Sequence, residues 1–138
     1  MLVIRRGETR DLEWVAAILA ESPEATPWEV EEFLDFDFRV AAEDGRVSGF
    51  LVARTVAPGE RELLNLAVGR MNRRRGVGRA LVKALLEDSA GAVFLEVRES
   101  NRGAIDLYKS MGFQEVSIRR KYYEAPPEAA IVMKFHSC

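Results

Sequence analysis

The residue types best suited to chemistry sit in one short run, Arg73-Arg74-Arg75-Gly76-Val77-Gly78-Arg79. Glycines spaced G-x-G let the backbone fold tightly, and the amides opening a helix behind them have no carbonyl partner within it. With the partial positive charge of the helix dipole they form a cradle for an anion, phosphate above all. The surrounding guanidinium groups add full charges whose planar donors match phosphate oxygens. An arginine run is ordinarily a solvated face, but arginines leading into G-x-G at a helix start favour phosphate binding.

Such a cradle needs a strand in front of it and a helix behind. Arg61 to Val68 reads as the strand. The helix follows from Val77, Ala80, Leu81, Ala84 and Leu85, which recur at i, i+3, i+4, i+7 and i+8. Gly91 ends it, and Ala92 to Val97 is an apolar run broken only by Glu96, the pattern of a strand buried on both faces beside a parallel neighbour. Handedness then brings the carboxyl ends of the two strands toward the arginine loop. Asn101 can cap a further helix, with Ala104, Leu107, Tyr108 and Met111 inward and Gly112 as its left-handed stop. Upstream, Leu2 to Arg5 reads as a strand and Thr9 to Ala20 as an amphipathic helix. Pro23 and Pro27 punctuate the next stretch, before a second helix over Trp28 to Phe36 and a hairpin of Arg39–Glu43 with Val47–Arg54 about Asp44-Gly45. Downstream, Phe113 to Tyr122 and Ala129 to Phe135 are strands around a loop at Pro126-Pro127.

With 138 residues, 48% of them hydrophobic, the chain suffices for one α/β domain over residues 1–138 and is too short for two ordinary ones. A net charge of −2 argues against general nucleic-acid binding, although clustering of Arg70, Arg73, Arg74, Arg75 and Arg79 permits a phosphorylated ligand. One cysteine, Cys138, and one histidine, His136, exclude an internal disulfide and a Cys/His metal cluster, so no metal is expected and a cytoplasmic compartment fits. No apolar run reaches membrane-spanning length, and the first residues lack the apolar core of a secretory signal.

Strand, G-x-G, helix, strand and a terminal acid also outline a dinucleotide fold. Against that, Leu81 holds the third glycine position, and about seven residues rather than a tight turn separate the strand from Gly76. No Gly-Lys-Ser/Thr follows the glycines, and there is no G-x-S-x-G.

With its flanks, Arg73-x-x-Gly76-x-Gly78 resembles the acetyl-CoA signature of the GNAT superfamily of N-acetyltransferases. The strings Asn65-Leu66-Ala67-Val68, Phe94-Leu95-Glu96-Val97-Arg98-Glu99-Ser100-Asn101, Ala104-Ile105-x-Leu107-Tyr108, Gly112-Phe113 and Ile118-Arg119-Arg120-Lys121-Tyr122-Tyr123 are similar to the bacterial ribosomal-protein alanine N-acetyltransferases, as is Pro27-Trp28. The likeness spans essentially the whole chain. There are departures: Gly69-Arg70-Met71 stands where an Asp-Pro turn is usual, Arg73 where glutamine is frequent, and Ala129 where an acidic residue commonly follows glutamate.

The resemblance implies a single-domain α/β GNAT fold, a mixed and mostly antiparallel sheet with a central, splayed parallel strand pair flanked by helices. It implies acetyl-CoA as co-substrate and a protein N-terminus as acceptor, an Ala-initiated ribosomal protein in the subfamily, with no nucleic-acid, membrane or metal partner. Direct transfer to an amine needs a base, a polarised thioester and an acid for the departing thiolate. By resemblance Glu96 is the general base, through a water, and Tyr108 the general acid. Backbone groups of Leu66, Ala67 and Val68 would pair with the pantetheine arm, and amides of Arg73, Arg74, Arg75, Gly76, Val77, Gly78 and Arg79 would hold the diphosphate. Asn101 would hydrogen-bond the pantetheine, and Trp28, Arg120 and Tyr122 would grip the acceptor. Each has a structural alternative: an ion pair of Glu96 with Arg98 or another arginine, a core tyrosine, a packed tryptophan, a helix cap. The rival functions are acetylation of a lysine, a small amine or another peptide terminus, a non-catalytic acyl-CoA-binding module, and RNA binding by the arginine loop.

Overall fold

The computed structural model describes residues 1–22, 28–124 and 127–136, so Pro23, Pro27, Pro126 and Cys138 lie outside the described residues. In chain order the elements are β1 (Val3–Arg6), α1 (Leu12–Ala20), β2 (Asp37–Glu43), β3 (Arg46–Ala57), β4 (Glu60–Val68), α2 (Val77–Glu87), β5 (Ala92–Arg98), α3 (Arg102–Ser110), β6 (Gln114–Glu124) and β7 (Pro127–His136). Short 3-10 segments occupy Thr9–Asp11, Val30–Asp35 and Arg70–Asn72. The strands form one mixed sheet in the order β1-β2-β3-β4-β5-β7-β6, in which β4 and β5 run parallel. This is the expected α/β class, a mostly antiparallel sheet flanked by helices. The chain divides into two compact units, Met1–Arg54 with Leu64–Asp88, and Thr55–Leu63 with Ser89–Cys138.

In the first unit, β2 and β3 form the expected hairpin, with Asp44 and Gly45 both left-handed (φ 53° and 76°), as its two-residue turn demands. The register passes from Ala41↔Gly49 to Ala42↔Val47, which leaves Ser48 as an extra residue in β3. Its carbonyl accepts from the Gly69 amide at 2.8 Å, fixing where β4 turns off toward the arginine loop. A Cβ at Gly49 would stand 2.9 Å from Val77 Cγ1 and 3.0 Å from the Ala67 carbonyl oxygen, so glycine there lets the start of α2 close on the strands.

The core of this unit gathers Val15, Ile18, Phe33, Phe38, Val40, Phe50 and Val52. The second helix expected over Trp28 to Phe36 is instead the 3-10 segment Val30–Asp35. Its three-residue period brings Val30, Phe33 and Phe36 to one side, where all three pack on the core. Phe33 stacks on Phe50 at 5.4 Å between ring centroids.

The entry to α1 is held by Asp11, whose carboxylate accepts from the Glu8 amide at 2.8 Å and from both terminal nitrogens of Arg5 on β1 at 2.8 and 2.9 Å. The Asp11 side chain is only 4% exposed, and the bond from Arg5 holds its carboxyl below the usual range. A carboxyl depressed in the folded state adds stability above its unfolded value of about 3.9 and loses it as pH falls through the folded one. Asp11→Asn is therefore expected to lower stability at pH 7 by about 2 kcal/mol and to flatten the decline below about pH 4, read from urea unfolding at both pH values.

In the second unit the parallel register is short, Glu60↔Ala92 to Leu63↔Leu95. It is pinned where a Cβ on Gly91 (φ 110°) would lie 2.2 Å from the Gly59 carbonyl oxygen, and where the Ala92 amide donates to that oxygen at 2.8 Å. β5 pairs with β7 along its whole length, Ala92↔His136 to Arg98↔Ala130. Burial on both faces of β5 was expected; Val93, Leu95 and Val97 are buried on one face, while on the other Ala92 is buried and Phe94, Glu96 and Arg98 are only half-buried. On α3 the buried residues are Ile105 and Tyr108, with Ala104, Leu107 and Met111 half-buried, so the apolar stripe is centred on a residue the spacing did not single out. The left-handed Gly112 (φ 103°) ends the helix, and the Phe113 amide donates back to the Tyr108 carbonyl at 3.0 Å.

Candidate active site

Residues paired across strands share a face, so the half-buried face of the second unit's strands can be read in rows. Glu96, Val132 and Ser117 form one row, and Arg98, Ala130 and Arg119 the next. Arg119 Nη1 reaches diagonally to Glu96 Oε1 at 2.6 Å, past the row in which the intervening residue is the small Ala130. Its guanidinium carbon lies 4.1 Å from the Tyr122 ring centroid. Glu96 is 20% exposed and Arg119 51%. The bond to Glu96 pushes Arg119 above its ordinary value, so this arginine is charged.

Of the pairings foreseen for Glu96, Arg98 is not the one formed. Arg98 Nη1 donates to Glu128 Oε1 at 3.1 Å, and the Ser100 amide and hydroxyl donate to the same carboxylate at 3.1 and 3.0 Å. Burial pushes Glu128 up, but the bonds from Arg98 and Ser100 outweigh it and hold the carboxyl below its ordinary range. Glu128 thereby fixes the loop from β5 to α3. At its end Asn101 Oδ1 accepts from the Ala104 amide at 3.3 Å, capping α3 and leaving the Asn101 amide nitrogen to donate elsewhere. Tyr108, 6% exposed, sits with its ring 5.5 Å from Phe113, which in turn is 5.6 Å from Phe135.

Beyond Arg119, the ladder resumes only at Tyr123↔Glu128, so Arg120, Lys121 and Tyr122 stand against Ala129 alone. Such a bulge re-aims side chains, and Arg120 and Tyr122 are both exposed on it. Arg119 itself was not singled out from the sequence. Its only signal there was membership of the arginine-tyrosine string, because its reach to Glu96 depends on β7 lying between β5 and β6.

In the first unit, Arg74 (φ 64°) and Gly76 (φ 79°) are left-handed, and the ladder of α2 begins with the Ala80 amide on the Gly76 carbonyl at 3.0 Å. No acidic residue stands in the first turn of α2, so no carboxylate there offsets the positive end of the dipole. Arg74, Arg75 and Arg79 are exposed. Arg73 is differently used: Nε donates to the Val68 carbonyl and Nη2 to the Glu21 carbonyl, both at 3.2 Å, tying the end of β4 to the end of α1. Of the β4 residues, Ala67 is buried and Leu66 and Val68 are half-buried. Trp28 joins the aromatic core, 5.6 Å from Phe33 and 5.5 Å from Phe36. Among the described residues, no group of three or more His, Cys, Asp or Glu could hold a metal, and no helix is long and apolar enough to cross a membrane.

The sequence profile of the acetyltransferase (GNAT) family matches residues 7–113. The chain belongs to that family. This GNAT chain is an N-acetyltransferase, and the family takes its acetyl group from acetyl-CoA. It is 35% identical over 147 aligned residues to the ribosomal protein bS18-alanine N-acetyltransferase of Escherichia coli, covering 96% of each chain. The crystal structure of the Escherichia coli ribosomal-protein-S18-alanine N-acetyltransferase matches with a TM-score of 0.84 at 33% identity, covering 99% of this GNAT chain and 94% of that one. Ard1 from Thermoplasma volcanium matches with a TM-score of 0.90 at 31% identity, covering 99% and 98%.

Proposed function

We propose that this enzyme transfers the acetyl group of acetyl-CoA to the N-terminal α-amine of a protein, an Ala-initiated ribosomal protein of the bS18 kind. The observation that carries this reading is the 96% mutual coverage with the Escherichia coli enzyme, whose acceptor is that alanine. Physical chemistry agrees with an α-amine. Its reference pKa of about 7.7 to 8.0, against about 10.4 for lysine, leaves a modest base enough to deprotonate it at neutral pH.

In the proposed reaction the acceptor ammonium gives a proton to Glu96 through a water, and the neutral amine attacks the thioester carbon. A backbone amide of Leu66, Ala67 or Val68 polarises the carbonyl; the C–S bond then breaks, the thiolate takes the Tyr108 proton, and the second proton lost by the attacking nitrogen passes through solvent to restore Tyr108. In the first unit, the amides of residues 73–79 hold the diphosphate, with side-chain charge supplied by Arg74 and Arg75, since the guanidinium of Arg73 serves the Val68 and Glu21 carbonyls. In the second, Asn101 donates its amide N–H to a pantetheine carbonyl. Arg120 and Tyr122 contact the acceptor, and Trp28 supports it from its place in the aromatic core.

Mass spectrometry of a peptide panel incubated with acetyl-CoA tests the proposal. A single acetyl group on the α-amine of an Ala-initiated bS18 peptide, and none on its N-terminally blocked copy, is the expected result. Acetylated lysine with a free terminus would refute the acceptor, and saturable acetyl-CoA binding without thiol release from any peptide would leave a non-catalytic module.

A further inference from the structure

We propose that the Glu96 carboxylate and the face of Tyr122 form a seat for the acceptor's α-ammonium, which Arg119 fills until the acceptor displaces it. The proposal rests on Glu96 being the base. A carboxylate beside an aromatic face is a cation site on two counts, ionic hydrogen bonding and attraction by the ring quadrupole. Arg119 satisfies both at once, at 2.6 Å and 4.1 Å. It is also built to leave: half of its side chain is already in water, and the bulge of residues 120–122 begins immediately after it. Glu128, further along this face, is already occupied by Arg98 and Ser100, whereas Glu96 is held by the half-exposed Arg119, so at Glu96 Arg119 and an incoming ammonium can compete.

Exchange of one cation for another never leaves Glu96 facing an uncompensated site. It also sorts acceptors. A guanidinium stays protonated and cannot start the reaction, whereas the displacing ammonium can pass its proton through a water to Glu96 and become the nucleophile. A blocked or uncharged terminus has no charge with which to displace Arg119.

The test uses Arg119→Ala and Arg119→Lys with an Ala-initiated peptide, adding millimolar guanidinium chloride against sodium chloride at equal ionic strength. In Arg119→Ala the peptide KM is expected to fall about fivefold with kcat unchanged, as for removal of a competing exposed ion pair. Guanidinium should then compete with the peptide in Arg119→Ala, and have little effect on the unaltered enzyme or on Arg119→Lys. An arginine that merely braces Glu96 behaves oppositely: kcat falls on its removal and guanidinium restores it, which would overturn the proposal, as would indifference of Arg119→Ala to guanidinium. Calorimetric peptide binding reads the same competition without turnover. If Glu96→Gln keeps full turnover, the base assignment fails while competition for the seat still stands or falls on the binding data.

Discussion

Tyr108→Phe is expected to lower kcat by about 10²- to 10³-fold while leaving acetyl-CoA affinity and the fold nearly unchanged. The substitution keeps the ring that packs 5.5 Å from Phe113 and removes only the hydroxyl. A thiolate leaving without a proton donor must depart as the anion, and a phenol with a reference pKa near 10 is well matched to supply that proton. Steady-state kinetics with the Ala-initiated peptide, alongside calorimetry with acetyl-CoA and a thermal melt, separate the two roles open to this side chain. If Tyr108 served the core alone, kcat would stay within about twofold and the melt would carry the loss instead.

What was legible in the sequence divides by physical range. Local signals held: the Asp44-Gly45 hairpin, the left-handed stop at Gly112, the cap at Asn101 and the periodic face of α2 each depend on a few adjacent residues, whereas α2 ends at Glu87, capped by Asp88, and Gly91, expected to end it, instead sits against Gly59 just before β5. The 3-10 segment at Val30–Asp35 was misread because apolar residues three apart satisfy either helix type over so short a run. Non-local features were hidden. The Arg5–Asp11 pair links a strand to the start of a helix, Ser48 shifts the register of β3, and Arg73 reaches back to the end of α1; none has a spacing rule.

The same division governs the candidate site. Glu96 stood out because it interrupts an apolar run, but the partner it takes could be named only once the order β5-β7-β6 was known. Arg98, two residues away on the same strand face, was the natural guess and is committed to Glu128. The bulge at residues 120–122 likewise follows from the pairing of β6 with β7, not from the residues within it.

Glu96→Gln gives the second large effect, and its pH dependence identifies its cause. Glutamine keeps the shape and an oxygen for Arg119 to donate to, so the ladder of β5 with β7 should survive. Turnover at pH 7 is expected to fall about 10²-fold, because the α-ammonium loses the group that takes its proton. As pH rises past the amine's own value of about 8, solvent supplies the neutral nucleophile and the deficit relative to the unaltered enzyme should shrink. The sign is fixed by the base role: a missing proton acceptor matters less as fewer protons remain to be removed. A purely structural Glu96 predicts a deficit that is the same at pH 7 and pH 9, so kcat/KM for both proteins across that range decides between the two.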